Sequence, residues 1–212
     1  HPGLAPGGPT VSDPVDLVVA GADLVVTMDG DRREIAGGWV ACRDGFVTAL
    51  GGPGEGPPPA ARVLRAGGCL VTPGLINTHH HIYQNLTRAY LPATASSLFD
   101  WLTTLYPRWA LLDEEASYVS AWVGLAELAL GGCTTSTDHL YVHPAGSGDL
   151  LGAEIEAARD LGVRFHPTRG SMSLSQKDGG LPPDSVVQDD DAILAASEEA
   201  VARHHDPEPG AM

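Results

Sequence analysis

Segments typical of β-strands alternate with segments typical of helices over residues 73–212, and this alternation limits the fold more than any other feature of the chain. Strand-type runs occupy residues 75–81, 133–139 and 163–168, and helix-type runs occupy residues 113–130, 149–161 and 189–204. Strands that alternate with helices through short links are typical of a parallel sheet covered by helices. In such sheets the chemistry collects at the carboxyl ends of the strands, which is where the polar residues of these runs lie.

The preceding part of the chain has a different texture. Residues 15–72 carry β-type runs at 15–28, 39–50 and 61–71, separated by turns rich in glycine and aspartate and by a Pro/Gly loop. This pattern predicts a small β-sheet unit. Residues 1–14 contain four prolines and three glycines, and we expect them to form a flexible tail.

Residues 73–212 are too few for a closed barrel. An eight-stranded (β/α)8 barrel needs about 250 residues, whereas this stretch holds three strand-type runs and their helices. A three-stranded parallel sheet leaves open edges and half a core. We therefore expect the chain to be truncated, with the natural polypeptide continuing past Met212.

Composition excludes several classes of function. The formal net charge is -15 at pH 7, whereas nucleic-acid binding requires clustered Lys and Arg. The chain contains no apolar run of about 18 residues, which a membrane span needs, and no signal peptide. Cys42, Cys69 and Cys133 form no CxxC pair, which argues against a disulfide framework. These observations predict a cytoplasmic protein that binds neither nucleic acid nor membrane.

The pair His79 and His81 is the strongest candidate for chemistry, and it follows the sequence PGLINT at residues 73–78. Side chains alternate along a strand, so both imidazoles would lie on one face with Cα atoms about 6.7 Å apart. Both can reach one ion at a Zn–N distance of about 2.0–2.1 Å, and neutral imidazole suits zinc and other borderline metals. Two ligands do not complete a tetrahedral site, so on spacing alone a metal-free histidine cluster is an equal alternative.

Longer segments around this pair resemble a known family. Residues 71–81 (VTPGLINTHHH) resemble the strand-1 motif of the amidohydrolase superfamily, in its branch of aromatic-heterocycle deaminases and chlorohydrolases. The segments at 79–92, 98–109, 126–139 and 168–183 resemble 8-oxoguanine deaminases, and triazine hydrolases are somewhat less similar. The likeness extends from Val15 to the carboxyl terminus.

This resemblance implies an α/β fold, the N-terminal part of a metal-dependent (β/α)8 TIM-barrel hydrolase with an adjoining β-sandwich domain. Residues 15–72 would supply the N-terminal portion of the sandwich, and residues 73–212 the first strands and helices of the barrel. His79 and His81 would bind a mononuclear Zn2+, with Fe2+ as the alternative metal. The family's other ligands are a His on strand 5 and an Asp on strand 8, and a Glu on strand 5 and a His on strand 6 transfer protons. No residue here matches those four, so the catalytic residues are expected beyond Met212.

Four residues are candidates for substrate binding, each with a structural alternative. The amide of Gln84 can pair with the edge of a purine, or cap the following helix. Trp101 can stack on a flat heterocycle, or belong to the core between helix and barrel. His139 ends the second strand and can contact substrate or support the metal site, although a lone histidine is more often structural. Arg169 ends the third strand, where substrate groups can be read, and a structural role is supported equally.

The leading hypothesis is a zinc-dependent aminohydrolase that deaminates a purine-like heterocycle, with 8-oxoguanine as the favoured substrate, and releases ammonia. An alternative within the family is a hydrolase of triazines or another N-heterocycle, because few contacts retune such a pocket. An alternative from a different class is a non-catalytic fragment that lacks the remaining metal ligands. A zinc site of the cytidine-deaminase type is excluded, because Pro-Cys-x-x-Cys is absent. The expected partners are a small heterocyclic substrate and further copies of the chain in a homo-oligomer.

Overall fold

The computed structural model describes residues 14–206, which fall into two units that divide between Pro73 and Gly74. The tail predicted for residues 1–14 lies outside the described residues apart from Pro14. Within residues 14–206, no helix is both long enough and apolar enough to cross a membrane.

The first unit consists of short strands arranged in two small sheets. The strands are β1 (Val15–Ala20), β2 (Leu24–Val26), β3 (Glu34–Ala36), β4 (Trp39–Arg43), β5 (Phe46–Gly51), β6 (Ala60–Arg65) and β7 (Leu70–Val71). One sheet has the order β5-β4-β1-β6, and the other has the order β3-β2-β7. Val18, Trp39 and Ala41 are buried together in one core, and Ala22 and Val25 belong to a second.

All three predicted β-type runs are divided in the structure, and the run at 39–50 becomes β4 and β5 at the turn of Asp44 and Gly45. The run at 15–28 becomes β1 and β2 because Gly21 turns the chain with a φ of 70°. The run at 61–71 becomes β6 and β7, with Gly68 at a φ of 79°. The runs at 15–28 and 61–71 were predicted too long, because apolar composition does not mark a turn that one glycine makes.

The second unit is a parallel sheet with helices. Its elements are β8 (Leu75–Asn77), α1 (Leu98–Trp109), α2 (Glu114–Leu130), β9 (Cys133–Leu140), α3 (Leu150–Leu161), β10 (Arg164–Arg169) and α4 (Asp190–His204). The sheet order is β10-β9-β8, and β9 pairs in parallel with both neighbours. Short 3-10 helices at Ile82–Thr87 and Leu91–Ala93 lie between β8 and α1. The predicted alternation of parallel strands and helices is confirmed.

The helix starts predicted at aspartates are confirmed. The side chains of Asp113, Asp149 and Asp189 each accept a hydrogen bond from a backbone N–H in the first turn of α2, α3 and α4. These bonds satisfy amide groups that a helix leaves unpaired at its start. Gly162 ends α3 in the left-handed conformation, with a φ of 69°. Helix α1, which the sequence reasoning did not predict, starts at Ser97 in the same way.

The apolar face that the sequence predicts for helix α2 is mostly exposed, and its buried face consists mainly of small residues. The sequence places Val119, Trp122, Val123, Ala126 and Leu130 on one face, and four of these, Val119, Trp122, Val123 and Leu130, are exposed. The buried residues are Ser117, Ser120, Ala121, Gly124 and Leu125. Small side chains let α2 approach the 3-10 helix closely, and a Cβ on Gly124 would collide with the Asn85 amide.

Candidate functional site

The His79–His81 segment lies just beyond the end of β8. We predicted that the strand continues to His81, but it ends at Asn77, because from there the chain turns toward the 3-10 helix at Ile82–Thr87. Strand β9 holds the segment through hydrogen bonds from the side. The His139 N–H donates to the carbonyl oxygen of His80 at 3.0 Å, and the Ile82 N–H donates to Asp138 Oδ1 at 2.7 Å.

The imidazole of His81 has a fixed proton position. Its Nδ1 lies 2.8 Å from the carbonyl oxygen of His139. A carbonyl only accepts, so a neutral imidazole in this position carries its proton on Nδ1 and keeps the lone pair on Nε2. This arrangement is the one in which histidine binds a metal through one nitrogen while the other is held by a neighbouring acceptor. The ring of His79 stands perpendicular to that of His81, with centroids 5.1 Å apart.

His139 and Tyr141 complete a cluster of rings with this pair. The His139 ring centroid lies 5.4 Å from that of His81, and Tyr141 lies 5.3 Å from His81. Burial lowers the pKa of His139, and the neighbouring His81 and His79 lower it further. His139 is therefore favoured in its neutral form, which can both donate and accept a hydrogen bond.

Two further tyrosines, Tyr83 and Tyr106, are neighbours of Tyr141. The ring centroids of Tyr141 and Tyr83 lie 5.7 Å apart, and Tyr83 is completely buried. Burial raises the pKa of Tyr83, and it raises the pKa of Tyr106 to about 12. Tyr83 and Tyr106 stay neutral at physiological pH, so they supply aromatic surface and hydroxyl groups and no charge.

Two of the predicted substrate-binding residues, Gln84 and Trp101, have different positions relative to the histidines. Gln84 lies in the first turn of the 3-10 helix that follows His81, and its N–H donates to the His81 carbonyl at 3.0 Å. Its side-chain amide lies 3.5 Å from the Tyr83 hydroxyl and is partly exposed. Trp101 packs edge-on against Trp109 at 5.2 Å and borders the main core. The structure therefore brings Gln84 next to His81 and packs Trp101 against Trp109 at the border of the main core.

Arg169 lies on the other face of the sheet from His139. In the parallel register Thr168 pairs with His139, and Arg169 pairs with the buried Leu140. Because side chains alternate along a strand, Thr168 shares the histidine face and Arg169 does not. Arg169 Nη2 donates to Gln188 Oε1 at 2.7 Å.

Arg169 borders a cleft of about 560 Å³ that lies beside the first turn of α3, with His143 and Asp149 also on its wall. Burial lowers the pKa of His143 to about 4, and the charge of Arg169 contributes. The structure thus separates Arg169 from the cluster formed by His79, His81 and His139.

Sequence reasoning did not select two residues that the structure brings to the site. Tyr141 lies two positions after His139, and the alternation of a strand continued past its end would have placed it on the same face. Asp138 anchors the Ile82 amide, and its carboxyl group meets that of Glu154 on α3. No signal in a single sequence pairs Asp138 with Glu154, because the contact depends on how α3 packs against the sheet.

The donor set fits part of a divalent metal site. His79 and His81 offer two imidazoles at the edge of the sheet, and the hydrogen bond of His81 directs Nε2 away from the backbone. Within residues 14–206, no group of three or more His, Cys, Asp or Glu side chains is placed to hold a metal ion. The two histidines are therefore compatible with a metal whose remaining ligands come from elsewhere.

The chain is similar to enzymes that hydrolyse nitrogen heterocycles. The sequence profile of the amidohydrolase family matches residues 70–210. The 8-oxoguanine deaminase of Pseudomonas aeruginosa is 47% identical over 177 residues, which cover 83% of this chain and 39% of that protein. The hydroxydechloroatrazine ethylaminohydrolase of Pseudomonas sp. (strain ADP) is 37% identical over 203 residues, which cover 91% of this chain and 42% of that protein.

Solved structures give a consistent picture. A mutant of the atrazine chlorohydrolase from Arthrobacter aurescens TC1, complexed with zinc and atraton, has a TM-score of 0.84 at 30% identity over 91% of this chain and 44% of that chain. Guanine deaminase from E. coli has a TM-score of 0.67 at 21% identity over 90% of this chain and 43% of that chain, and supports the fold alone. The chain spans 39% and 42% of the length of the two curated relatives.

Proposed function

Because the chain belongs to the amidohydrolase family, we propose that the protein hydrolytically deaminates a purine-like heterocycle, with 8-oxoguanine as substrate and ammonia as product. The observation that carries the proposal is the cluster of His79, His81 and His139, in which the carbonyl oxygen of His139 holds Nδ1 of His81. The 47% identity with an 8-oxoguanine deaminase supports the choice of substrate.

A divalent metal, zinc by preference and Fe2+ as the alternative, would be held by His79 and His81. When bound, such an ion makes water acidic enough to act as a nucleophile near neutral pH. The protein's own contribution is orientation. The His139 carbonyl fixes the proton of His81 on Nδ1, so the ligand nitrogen does not have to be freed from a competing tautomer.

The residues around the histidines suit a flat polar ring. Gln84 presents an amide that can pair with a carbonyl and a ring nitrogen at once, and it stands next to His81. His139 is favoured as a neutral imidazole and can donate to a ring nitrogen or carbonyl. Trp101, which packs against Trp109, would support the shape of the pocket rather than stack on the substrate. Arg169 would contribute indirectly, by holding Gln188 through its hydrogen bond to that side chain.

Ammonia release from 8-oxoguanine by the full-length, zinc-loaded protein tests the proposal. We expect turnover that is lost in His81→Ala and retained in His166→Ala, which removes an exposed histidine of β10 as a matched control. Absence of ammonia from 8-oxoguanine, together with turnover of guanine or of a triazine, would overturn the assignment of substrate.

A second candidate function is hydrolysis of a triazine. The similarity to the ethylaminohydrolase and the TM-score of 0.84 with a triazine hydrolase favour it. Release of chloride or of an alkylamine from a substituted triazine, at a rate above ammonia release from 8-oxoguanine, would support this candidate against the first.

A further inference from the structure

Two acidic side chains are buried directly behind the candidate metal site. Asp138 on β9 is 2% exposed, and Glu154 on α3 is 0% exposed. Asp138 occupies the opposite face of β9 from His139, because neighbouring residues of a strand point to opposite faces. Fully buried carboxyl groups are costly unless they are paired or neutral, so this pair needs a physical explanation.

The two carboxyl groups contact each other and few other groups. Asp138 Oδ1 accepts the Ile82 N–H at 2.7 Å, and the carboxyl groups of Asp138 and Glu154 are close enough to interact. Among the described residues, no N–H or O–H group of another residue donates to Asp138 Oδ2 or to either oxygen of Glu154. Two carboxylates in a dry contact would repel, so the contact requires a proton on one of them. Burial raises the pKa of both groups, in agreement with this requirement.

The amide that Asp138 binds belongs to the residue directly after His81. The Ile82 carbonyl also accepts a hydrogen bond, from Ser120 Oγ at 2.6 Å. Both polar groups of the Ile82 backbone are therefore fixed, one by β9 and one by α2. His81 in turn receives its orientation from the carbonyl of His139, the neighbour of Asp138.

We propose that Asp138 and Glu154 form a carboxyl pair that shares one proton and positions His81 for metal binding through the Ile82 amide. Glu154 donates its proton to Asp138, and Asp138 keeps an oxygen for Ile82. The inference deepens the proposed function and rests on it, since orientation of His81 matters for catalysis only if His81 binds the metal. Both acids are positioning residues, because neither faces the cluster of histidines.

Nuclear magnetic resonance of the His81 imidazole tests the positioning without metal. The nitrogen shifts report which ring nitrogen carries the proton, and in the unaltered chain we expect Nδ1. Asp138→Ala removes the acceptor for Ile82 and is expected to yield a mixture of the two tautomers. Asp138→Asn keeps an acceptor oxygen and is expected to restore the single tautomer.

The Glu154 variants test the shared proton. Glu154→Gln can still donate to Asp138 and should behave like the unaltered chain, whereas Glu154→Leu leaves Asp138 without a donor and should disturb His81. Glu156→Leu, on the exposed face of the same helix, is the matched control. The infrared spectrum should contain the carbonyl band of a protonated, buried carboxyl group at neutral pH, and Glu154→Gln should remove it.

Zinc titration connects the pair to the metal. Asp138→Ala and Glu154→Leu should weaken zinc binding by about 10–100-fold, as the loss of groups that orient metal ligands does, and the two amide variants should not. Amide hydrogen exchange in α3 establishes that each variant is folded. If Asp138→Ala does not fold, the two Glu154 variants and the infrared band decide.

Two results would overturn the inference: absence of the protonated carboxyl band, or folded Asp138→Ala and Glu154→Leu chains whose His81 tautomer is unchanged. The failure of the proposed function has a different signature. In that case the unaltered chain would bind no zinc, while the His81 tautomer would still respond to Asp138→Ala.

Discussion

Gly170 leaves the space that the ring of His139 occupies. A Cβ at this position would collide with His139 Nε2 and would lie 2.6 Å from the Cβ of Tyr141. The Gly170 N–H donates to the Leu140 carbonyl at 2.7 Å, which prevents the backbone from withdrawing. We expect Gly170→Ala to displace the His139 ring and to lower the free energy of unfolding by about 1–3 kcal/mol. Urea unfolding and the imidazole signals of His139 measure the two effects.

Gly56→Ala is the control for this substitution, because a Cβ at Gly56 meets no atom within 4 Å. We expect no change in the signals of His139 there. Unchanged His139 signals in Gly170→Ala would contradict the tight packing that the structure gives this ring.

His143 makes the stability of the protein depend on pH. Its pKa is lowered from 6.5 to about 4 by burial. Below pH 6.5 the unfolded chain therefore binds a proton at His143 that the folded chain does not, and stability falls as the pH falls toward 4. The full difference corresponds to about 3 kcal/mol. His143→Gln should reduce the loss of stability between neutral pH and pH 4, measured as the free energy of unfolding in urea.

His166→Gln is the comparison, since His166 is exposed on β10. Its unfolding free energy should follow that of the unaltered chain across the same pH range. An acid response in His143→Gln equal to that of the unaltered chain would show that other groups cause it.

Part of the site could be predicted at this scale. The spacing of His79 and His81 places them together, and the structure brings His139 and Gln84 to the same pair. The face of the sheet on which Arg169 lies could not be predicted, because a change of one residue in the register of β10 moves each side chain to the other face. The roles of these residues as ligands and substrate contacts stay predictions.

Helix α2 packs against the 3-10 helix that follows the histidine segment, and Gly124 permits the close approach of the two helices. Replacing glycine by alanine inside a helix normally stabilises it by about 1 kcal/mol. Here we expect the opposite sign, because the new Cβ would collide with the Asn85 amide on the 3-10 helix that follows His81. Gly124→Ala should lower the unfolding temperature and weaken the Ser120–Ile82 hydrogen bond, measured by calorimetry and by hydrogen exchange.

Val123→Ala tests whether the effect belongs to the buried face. Val123 is 50% exposed and adjacent to Gly124, so its truncation should change the unfolding temperature little. A stabilised Gly124→Ala chain would mean that α2 can move outward without cost.

Helix ends were the most predictable part of the elements. The aspartate caps and Gly162 are local signals, and each agrees with the structure. The buried face of α2 was not predictable from apolar spacing, since that face is defined by small residues and the apolar stripe is exposed. Strand lengths were overestimated where a single glycine or a change of direction ends the pairing.

At the scale of the whole molecule, the α/β fold and the family were predicted and are confirmed by the profile match and the superposition. The ligand set was not predictable in full, because a barrel distributes its ligands over distant strands. Assembly as a homo-oligomer and a cytoplasmic location stay predictions from the sequence.

Zinc affinity is the measurement that belongs to this scale. Two imidazoles without further ligands should bind zinc in the micromolar range or more weakly, because structural and catalytic zinc sites take three or four protein ligands. Calorimetric titration of the chain should therefore give weak binding that His79→Ala or His81→Ala abolishes. Nanomolar binding to the unaltered chain would contradict the two-ligand site, unless two copies of the chain share one ion.

Strand β9 faces the histidines on one side and the buried acids on the other. The groups that orient the proposed metal ligands thus come from the scaffold, whereas Gln84 lies in the connection after His81 and Thr168 near the end of a neighbouring strand. On the proposed function, substitutions that alter which heterocycle is accepted can therefore accumulate in the connections while the segment of His79 and His81 keeps its support. A designer who wishes to retarget this site should vary the connections and leave β9 untouched.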